Sequence, residues 1–248
     1  MKKFLLLTTV SIISANSAFA LDKLYSPFVE KGEWEVEYFG SRSGDSDASK
    51  DNEQKHQLSV GYGVNDWWKT EIYTKFEKEA QDKTTFDAWE WENTFQLTER
   101  GKYAVDLGAT LAYEYTPQSN RADHIESTLI FAKDVGKFFN LLNVTFEKDV
   151  GSGDKKSLEG KLLWSSRYNY SGYFQPGVEM SNDFGELDSA GGFNSQKHYV
   201  GPSLYGRVPL GVFTKSDALR YRAACLFGLT SPSSAVDAGL QLEYEIRF

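Results

Sequence analysis

Beyond Gly32 the chain repeats with a period of two. In Glu33-Trp34-Glu35-Val36-Glu37-Tyr38, one face carries Trp, Val and Tyr and the other carries three glutamates. Tyr103 to Tyr115 keeps the rule for thirteen residues, and Leu240, Leu242, Tyr244, Ile246 and Phe248 alternate with Gln241, Glu243, Glu245 and Arg247. Successive side chains of a strand point to opposite faces, so this is the signature of strands with one apolar face. Twelve such segments lie near 33–43, 55–64, 67–79, 85–97, 103–116, 123–133, 138–149, 156–168, 172–183, 197–208, 218–230 and 235–248. Strands of soluble sandwiches alternate too. Here the alternation runs for ten residues or more, enough to cross a bilayer at a tilt of about 45°. The pattern predicts an all-β fold: a transmembrane antiparallel up-and-down β-barrel of twelve strands, whose closure leaves no edge unpaired in hydrocarbon.

The connections give a second test. An even strand count returns both barrel ends to one side, the periplasm in bacteria. If the first strand runs outward, the outer connections 44–54, 80–84 and 183–196 are long or polar, while 64–67 and 98–102 are compact. The connection 209–217 is long for a periplasmic turn. Trp34, Trp67, Trp68, Tyr103, Phe138, Trp164, Tyr168, Phe174, Tyr221 and Phe248 gather at the predicted periplasmic ends, as an interfacial girdle does. Pro176 and Pro202 fall inside strands nine and ten, where each removes a ladder donor. Bulges beside Gly177 and Gly201 would absorb them; the alternative is a ten-strand count, with different boundaries across 172–217.

Composition narrows the class. Phe 17, Tyr 14 and Trp 6 are too many large apolar groups for a disordered chain. A mean hydropathy of −0.48, with no long apolar run after the N-terminus, excludes a bundle of membrane-spanning helices. Residues 1–20 read as a secretory signal peptide: Lys2 and Lys3, an apolar core from Phe4 to Ile13, then Ala18-Phe19-Ala20 as a cleavage site. Residues 21–248 are then one barrel domain, and loss of Lys2 and Lys3 takes the formal charge from −8 to −10. That acidity argues against nucleic acid as a partner. The single cysteine, Cys225, excludes an intrachain disulfide and a Cys-rich metal site; it falls on the lipid-facing side of strand eleven.

The ending Tyr244-Glu245-Ile246-Arg247-Phe248 closely resembles the C-terminal signature of Gram-negative outer-membrane β-barrel proteins, a terminal aromatic preceded by apolar residues at alternate positions. The resemblance implies an outer-membrane location among lipids and lipopolysaccharide, with both termini periplasmic. It also implies that Tyr244, Ile246 and Phe248 are read by the barrel-assembly machinery. The general layout is similar to barrel transporters of the phenol meta-pathway type, with no diagnostic motif.

Assigning the alternate residues inward gives a charged interior. Strands four to six contribute acids, among them Glu90, Glu92, Asp106 and Glu126, whereas Arg167, Arg207, Arg220 and Arg222 come from strands eight, ten and eleven. Two facing walls of opposite sign would select solutes by charge. The same residues could instead meet as ion pairs and close the lumen. Twelve strands give a backbone radius of roughly 12 Å, which side chains reduce to a narrow opening at best. The expected function is passive, selective passage of a small polar or charged solute. The alternative is a non-conducting barrel that binds through its outer loops.

Catalysis and metal binding find little support. Barrel lipid hydrolases pair a His with a Ser nucleophile, but His124 and Ser127 point to opposite faces of a strand, and no G-x-S-x-G occurs. His198 with Ser195 needs a particular loop conformation. His56, His124 and His198 stand four strands apart, about 20 Å from one another, too far to share an ion. The acids of 45–53 and 183–188 lack calcium-loop spacing and read as solvated loops. We therefore expect no catalytic residue, metal or cofactor.

Overall fold

The computed structural model describes residues 21–119, 121–151 and 157–248. The proposed signal peptide lies outside them. The described residues form twelve strands: β1 Glu33–Gly44, β2 Gln54–Asn65, β3 Trp68–Lys78, β4 Thr85–Gln96, β5 Asp106–Tyr115, β6 Asp123–Val135, β7 Phe138–Val150, β8 Leu158–Tyr168, β9 Gln175–Glu186, β10 Lys197–Pro209, β11 Ala218–Gly228 and β12 Val236–Arg247. Each pairs antiparallel with its sequence neighbours, and β1 pairs with β12 from Glu33↔Arg247 to Gly44↔Val236, so the sheet closes into a barrel. The two strand ends, Glu33 and Arg247, therefore share one rim with the tight 66–67 and 136–137 turns. We call this the terminus end. The opposite, loop end carries 45–53, 79–84, 116–122 and 187–196.

Period-two patterning produces this barrel with its usual polarity reversed. On β4, Trp89 and Trp91 are exposed while Glu90 and Glu92 are buried; on β1, Trp34 and Val36 are exposed while Glu33, Glu35 and Glu37 are buried. Ile72, Leu58, Val60, Leu111, Ile125 and Leu129 extend the exposed apolar belt around the outside. A belt of that extent would be an aggregation hazard in water and suits hydrocarbon. Near the terminus end, outward aromatics pair across strands, with ring centroids of Trp34 and Tyr62 at 4.8 Å and of Phe138 and Tyr168 at 5.3 Å.

Sequence and structure differ at three places. β5 begins at Asp106, so Tyr103 belongs to the preceding turn, because Asp106 accepts a 2.6 Å hydrogen bond from the Gly101 N–H and closes that turn. Pro176 and Pro202 do lie in strands, but without the expected bulges. The β9–β10 ladder runs unbroken from Lys197↔Asp183 to Tyr205↔Gln175. The β10–β11 ladder skips Gly201 and Pro202 and resumes in the same register, and Pro176 lies beyond the last β8–β9 pair, Arg167↔Gly177. Each proline thus sits where a ladder is open, and the twelve-strand count stands. Finally, the long connection 210–217 is compact: Asp217 accepts from the N–H groups of Phe213 and Thr214 at 2.5 and 2.9 Å and from Tyr244 Oη at 2.8 Å.

Candidate functional site

The lumen holds the stretch of chain that precedes β1. Residues 21–32 carry no strand period, so they have no place in the sheet, yet they are rich in apolar groups that need burial. The segment leaves β1 at the terminus end, where the Gly32 N–H donates to Gly63 O at 2.8 Å, and runs inside the barrel. Val29 N–H donates to Gln96 Oε1 at 2.9 Å, and Phe28 packs on Phe139 with ring centroids at 6.3 Å. Asn143 on β7 treats Tyr25 as a strand neighbour would: Oδ1 accepts from the Tyr25 N–H at 2.7 Å and Nδ2 donates to Tyr25 O at 3.1 Å. Asp22 pairs with Lys55 at 2.6 Å and with Lys161 at 4.0 Å, and its carbonyl accepts from Arg222 at 2.9 Å. Leu21, only 1% exposed, packs in a cluster with Phe39, Tyr199, Ala224 and Leu226. Two glycines make room for it. A Cβ at Gly63 would lie 1.9 Å from Glu30 O, and one at Gly108 would lie 2.7 Å from Pro27 Cβ.

At mid-height the segment presents Lys23 to a cradle of acids. Its Nζ is 3.3 Å from Glu71 and 3.7 Å from both Glu37 and Glu92, and it donates to the Tyr73 hydroxyl. The same nitrogen stands 4.6 Å from the Tyr73 ring centroid and 5.2 Å from that of Tyr25. Lys23 is 8% exposed, Glu37 2%, Glu71 1% and Glu92 0%. Lys69 reaches the same group, 2.6 Å from Glu35 and 3.1 Å from Glu71. Buried carboxylates of this density persist as ions only beside counter-charges, because desolvation costs several kcal/mol per unpaired ion.

The eight predicted lumen residues separate into two groups. Glu90 is neutralised by Lys75 Nζ at 2.5 Å, Glu92 by Lys23, and Glu126 accepts from Tyr25 Oη at 3.5 Å, while Asp106 serves its turn. The four arginines all line one cavity of about 320 Å³ at the terminus end, together with Arg100, Glu33, Glu35 and Glu243. The structure does not set the arginines against the predicted acidic wall. Arg222 makes a two-pronged pair with Glu179 at 2.9 and 2.7 Å, Arg207 reaches Glu245 at 2.9 Å, and Arg220 reaches Glu245 at 2.5 Å and Glu243 at 3.6 Å. Arg167 differs: its guanidinium lies 4.5 Å from the Phe139 ring centroid and 5.2 Å from that of Tyr205, and its buried Nε has no hydrogen-bond partner among the described residues. Arg100, 4.2 Å from the Phe28 ring centroid, resembles it. The cavity therefore combines aromatic and aliphatic walls with two guanidiniums that have no carboxylate within ion-pair distance among the described residues.

Sequence reasoning missed Lys23 and Arg100. The available signal for Lys23 was an interior with more acids than bases; the twelve residues before β1 held the missing cation.

At the loop end, His56 Nδ1 is 2.9 Å from Tyr38 Oη, His124 Nδ1 2.9 Å from Asp149, and His198 Nδ1 2.8 Å from Asn182, with the His198 ring stacked on Phe193 at 4.0 Å. Ser195 Oγ donates to Gly192 O at 2.7 Å and is not directed at His198. The acids of 45–53 hold loops together: Asp45 accepts from the Asp47 N–H at 2.7 Å and from the Ala235 N–H of the neighbouring connection at 2.8 Å, and Asp47 from the Ser49 N–H at 3.0 Å. On β12, Tyr244 and Ile246 stand opposite Val36 and Trp34 across the β1–β12 seam, and Phe248 projects beyond the last strand, almost fully exposed.

No protein-family profile matches the chain, and no curated protein matches it. The phenol meta-pathway likeness thus rests on layout alone. Among solved structures, OccK9 (OpdG) of Pseudomonas aeruginosa aligns over 86% of this chain and 97% of its own, at 9% identity and a TM-score of 0.25.

Proposed function

We propose that the chain is an outer-membrane barrel with its terminus end in the periplasm, and that it passes small polar or charged solutes through a narrow lumen which its own residues 21–31 hold shut at rest. The observation that carries this reading is the charged interior. Burying so many ions costs desolvation that apolar packing would avoid, and a solute path uses such groups to replace water. The reversed polarity of the wall, apolar outside and charged inside, supports a membrane site. In this reading the arginine cavity is the periplasmic vestibule. Arg167 and Arg100 attract anions there, while Arg207, Arg220 and Arg222 owe their position to their paired acids. Glu90, Glu92 and Glu126 line the inner path and repel anions once the segment leaves.

The test is single-channel conductance of the refolded mature chain in a planar bilayer, beside the chain lacking residues 21–31, with reversal potentials under a salt gradient. The expected result is small, infrequent openings for the mature chain and larger, steady ones for the shortened chain. Silence from both, with folding established by heat-modifiable gel mobility, would turn attention to a non-conducting barrel acting through its loops.

A further inference from the structure

The mid-lumen cradle has the make-up of a receptor for a primary ammonium group. Three carboxylates, from Glu37, Glu71 and Glu92, surround one point 3.3 to 3.7 Å away, and two tyrosine rings stand beside it at 4.6 and 5.2 Å. Aromatic faces beside acids are what a compact organic cation prefers, through its attraction to ring quadrupoles and to charge. Apart from Tyr25, which shares the segment of Lys23, the cradle is built by the wall. Ser59 Oγ donates to Glu71 at 2.8 Å, and Gln241 Nε2 donates to Glu37 at 3.0 Å, so both carboxylates are oriented by the wall. Its acceptors are not all used by the wall: Glu37 Oε1 faces only Lys23 Nζ, at 3.7 Å, and Glu92 Oε2 is buried without a hydrogen-bond partner among the described residues.

The occupant is a lysine on a segment also tied to the wall through Asp22, Tyr25 and Val29, but nothing covalent fixes its ammonium there. We propose that the cradle is a binding site for primary organic ammonium ions, occupied at rest by Lys23, and that such a solute displaces Lys23 and releases residues 21–31. The displacement half of this proposal rests on the channel reading above; the binding half does not. A tethered lysine competes at a high effective concentration. The free cation must therefore be supplied well above the level that would fill an empty cradle.

Lys23→Ala tests it, because the atoms deleted are those of propylammonium. The refolded variant and the wild type are titrated with propylammonium, with 1-propanol and sodium as controls, in alkaline buffer that keeps carboxylates ionised. The midpoint of heat-modifiable gel mobility is the first readout. The expected result is a lower midpoint for Lys23→Ala that propylammonium raises and the controls do not, with little response from the wild type. Adding Glu92→Gln should raise the concentration needed by about tenfold, as loss of one charged contact does. An equal response from wild type and variant, or from propylammonium and sodium, overturns the site. If Lys23→Ala fails to fold, refolding yield of Lys23→Gln with and without propylammonium replaces the midpoint, and no gain in yield overturns the proposal. The second readout is current. Block of Lys23→Ala by propylammonium, with opening of the wild type at higher concentration, supports both halves. A stabilised but silent variant supports the site and removes the channel; a conducting variant indifferent to propylammonium keeps the channel and overturns the site.

Discussion

The acidic cradle and the arginine vestibule lie in one lumen and solve the same problem differently. At the terminus end the wall neutralises itself: Arg222 with Glu179, and Arg207 and Arg220 with Glu245, join residues of β9 to β12, and the segment adds to them only the Asp22 carbonyl that accepts from Arg222. At mid-height the wall supplies Glu35, Glu37, Glu71 and Glu92 against Lys69, and a further cation comes from outside the sheet. One region's charge balance is intrinsic; the other's depends on an element that can leave. The difference teaches that an excess of one sign inside a closed barrel marks where something else belongs.

The comparison breaks most severely at the vestibule's best pair. Arg222→Met should leave Glu179 buried and unpaired and lower stability by about 3–5 kcal/mol, read from urea unfolding of the refolded barrel in vesicles. Arg222→Met with Glu179→Leu should recover most of that loss, because an intrinsic pair can be replaced by apolar packing. A double replacement no better than the single would mean that the Arg222 donation to the Asp22 carbonyl, outside the wall, outweighs the pair itself.

Next in size is a change that touches no charge. Gly63→Ala places a Cβ 1.9 Å from the Glu30 carbonyl and should push the segment off the wall, costing about 1–3 kcal/mol and raising conductance. Unaltered conductance in a folded Gly63→Ala protein would show that the segment tolerates displacement at its base without freeing the lumen. Smaller in stability, and larger in selectivity, are Arg167→Gln and Arg100→Gln. Both cations stack on aromatic rings, so each loss should cost about 0.5–1 kcal/mol while shifting the reversal potential away from anions. The paired Arg207→Gln should move the potential less.

The smallest effect concerns pH at the rim. Burial opposes ionisation of Asp217, but the Thr214 hydroxyl, the N–H groups of Thr214 and Phe213, and Tyr244 outweigh it and hold the carboxyl below its usual range. A depressed folded-state value stabilises the turn above the ordinary carboxylate pKa of about 3.9, and that contribution fades as pH falls towards the folded value. Asp217→Asn should therefore flatten the acid limb of the stability curve, and an unchanged limb would assign it to other carboxylates.

The strands were legible because a period of two, sustained for ten or more residues, has one physical reading. Even Pro176 and Pro202 obeyed it, at places where a neighbouring ladder is open. Inward assignment of the charged residues was legible for the same reason. Their partners were not, since Arg222 reaches across β10 to Glu179 on β9, and such contacts depend on barrel stagger, which the alternation of one strand does not encode. Residues 21–32 were illegible for the opposite reason. Leu21, Leu24, Tyr25, Phe28 and Val29 follow no period, because the segment contacts different walls at successive residues, Asn143 at one step and Gln96 at another.

The β1–β12 seam has a consequence for the order of assembly. The segment joins the sheet at Glu33, the first residue of a strand that pairs with the last one. Before that seam zips, the chain preceding β1 lies at the edge of an open trough, and nothing need be threaded through a finished ring. Had the segment been attached to any internal hairpin at the loop end, entry would have required passage past a closed rim. Here the stopper is delivered by the lid's own edge, and closing the vessel and sealing it are the same event.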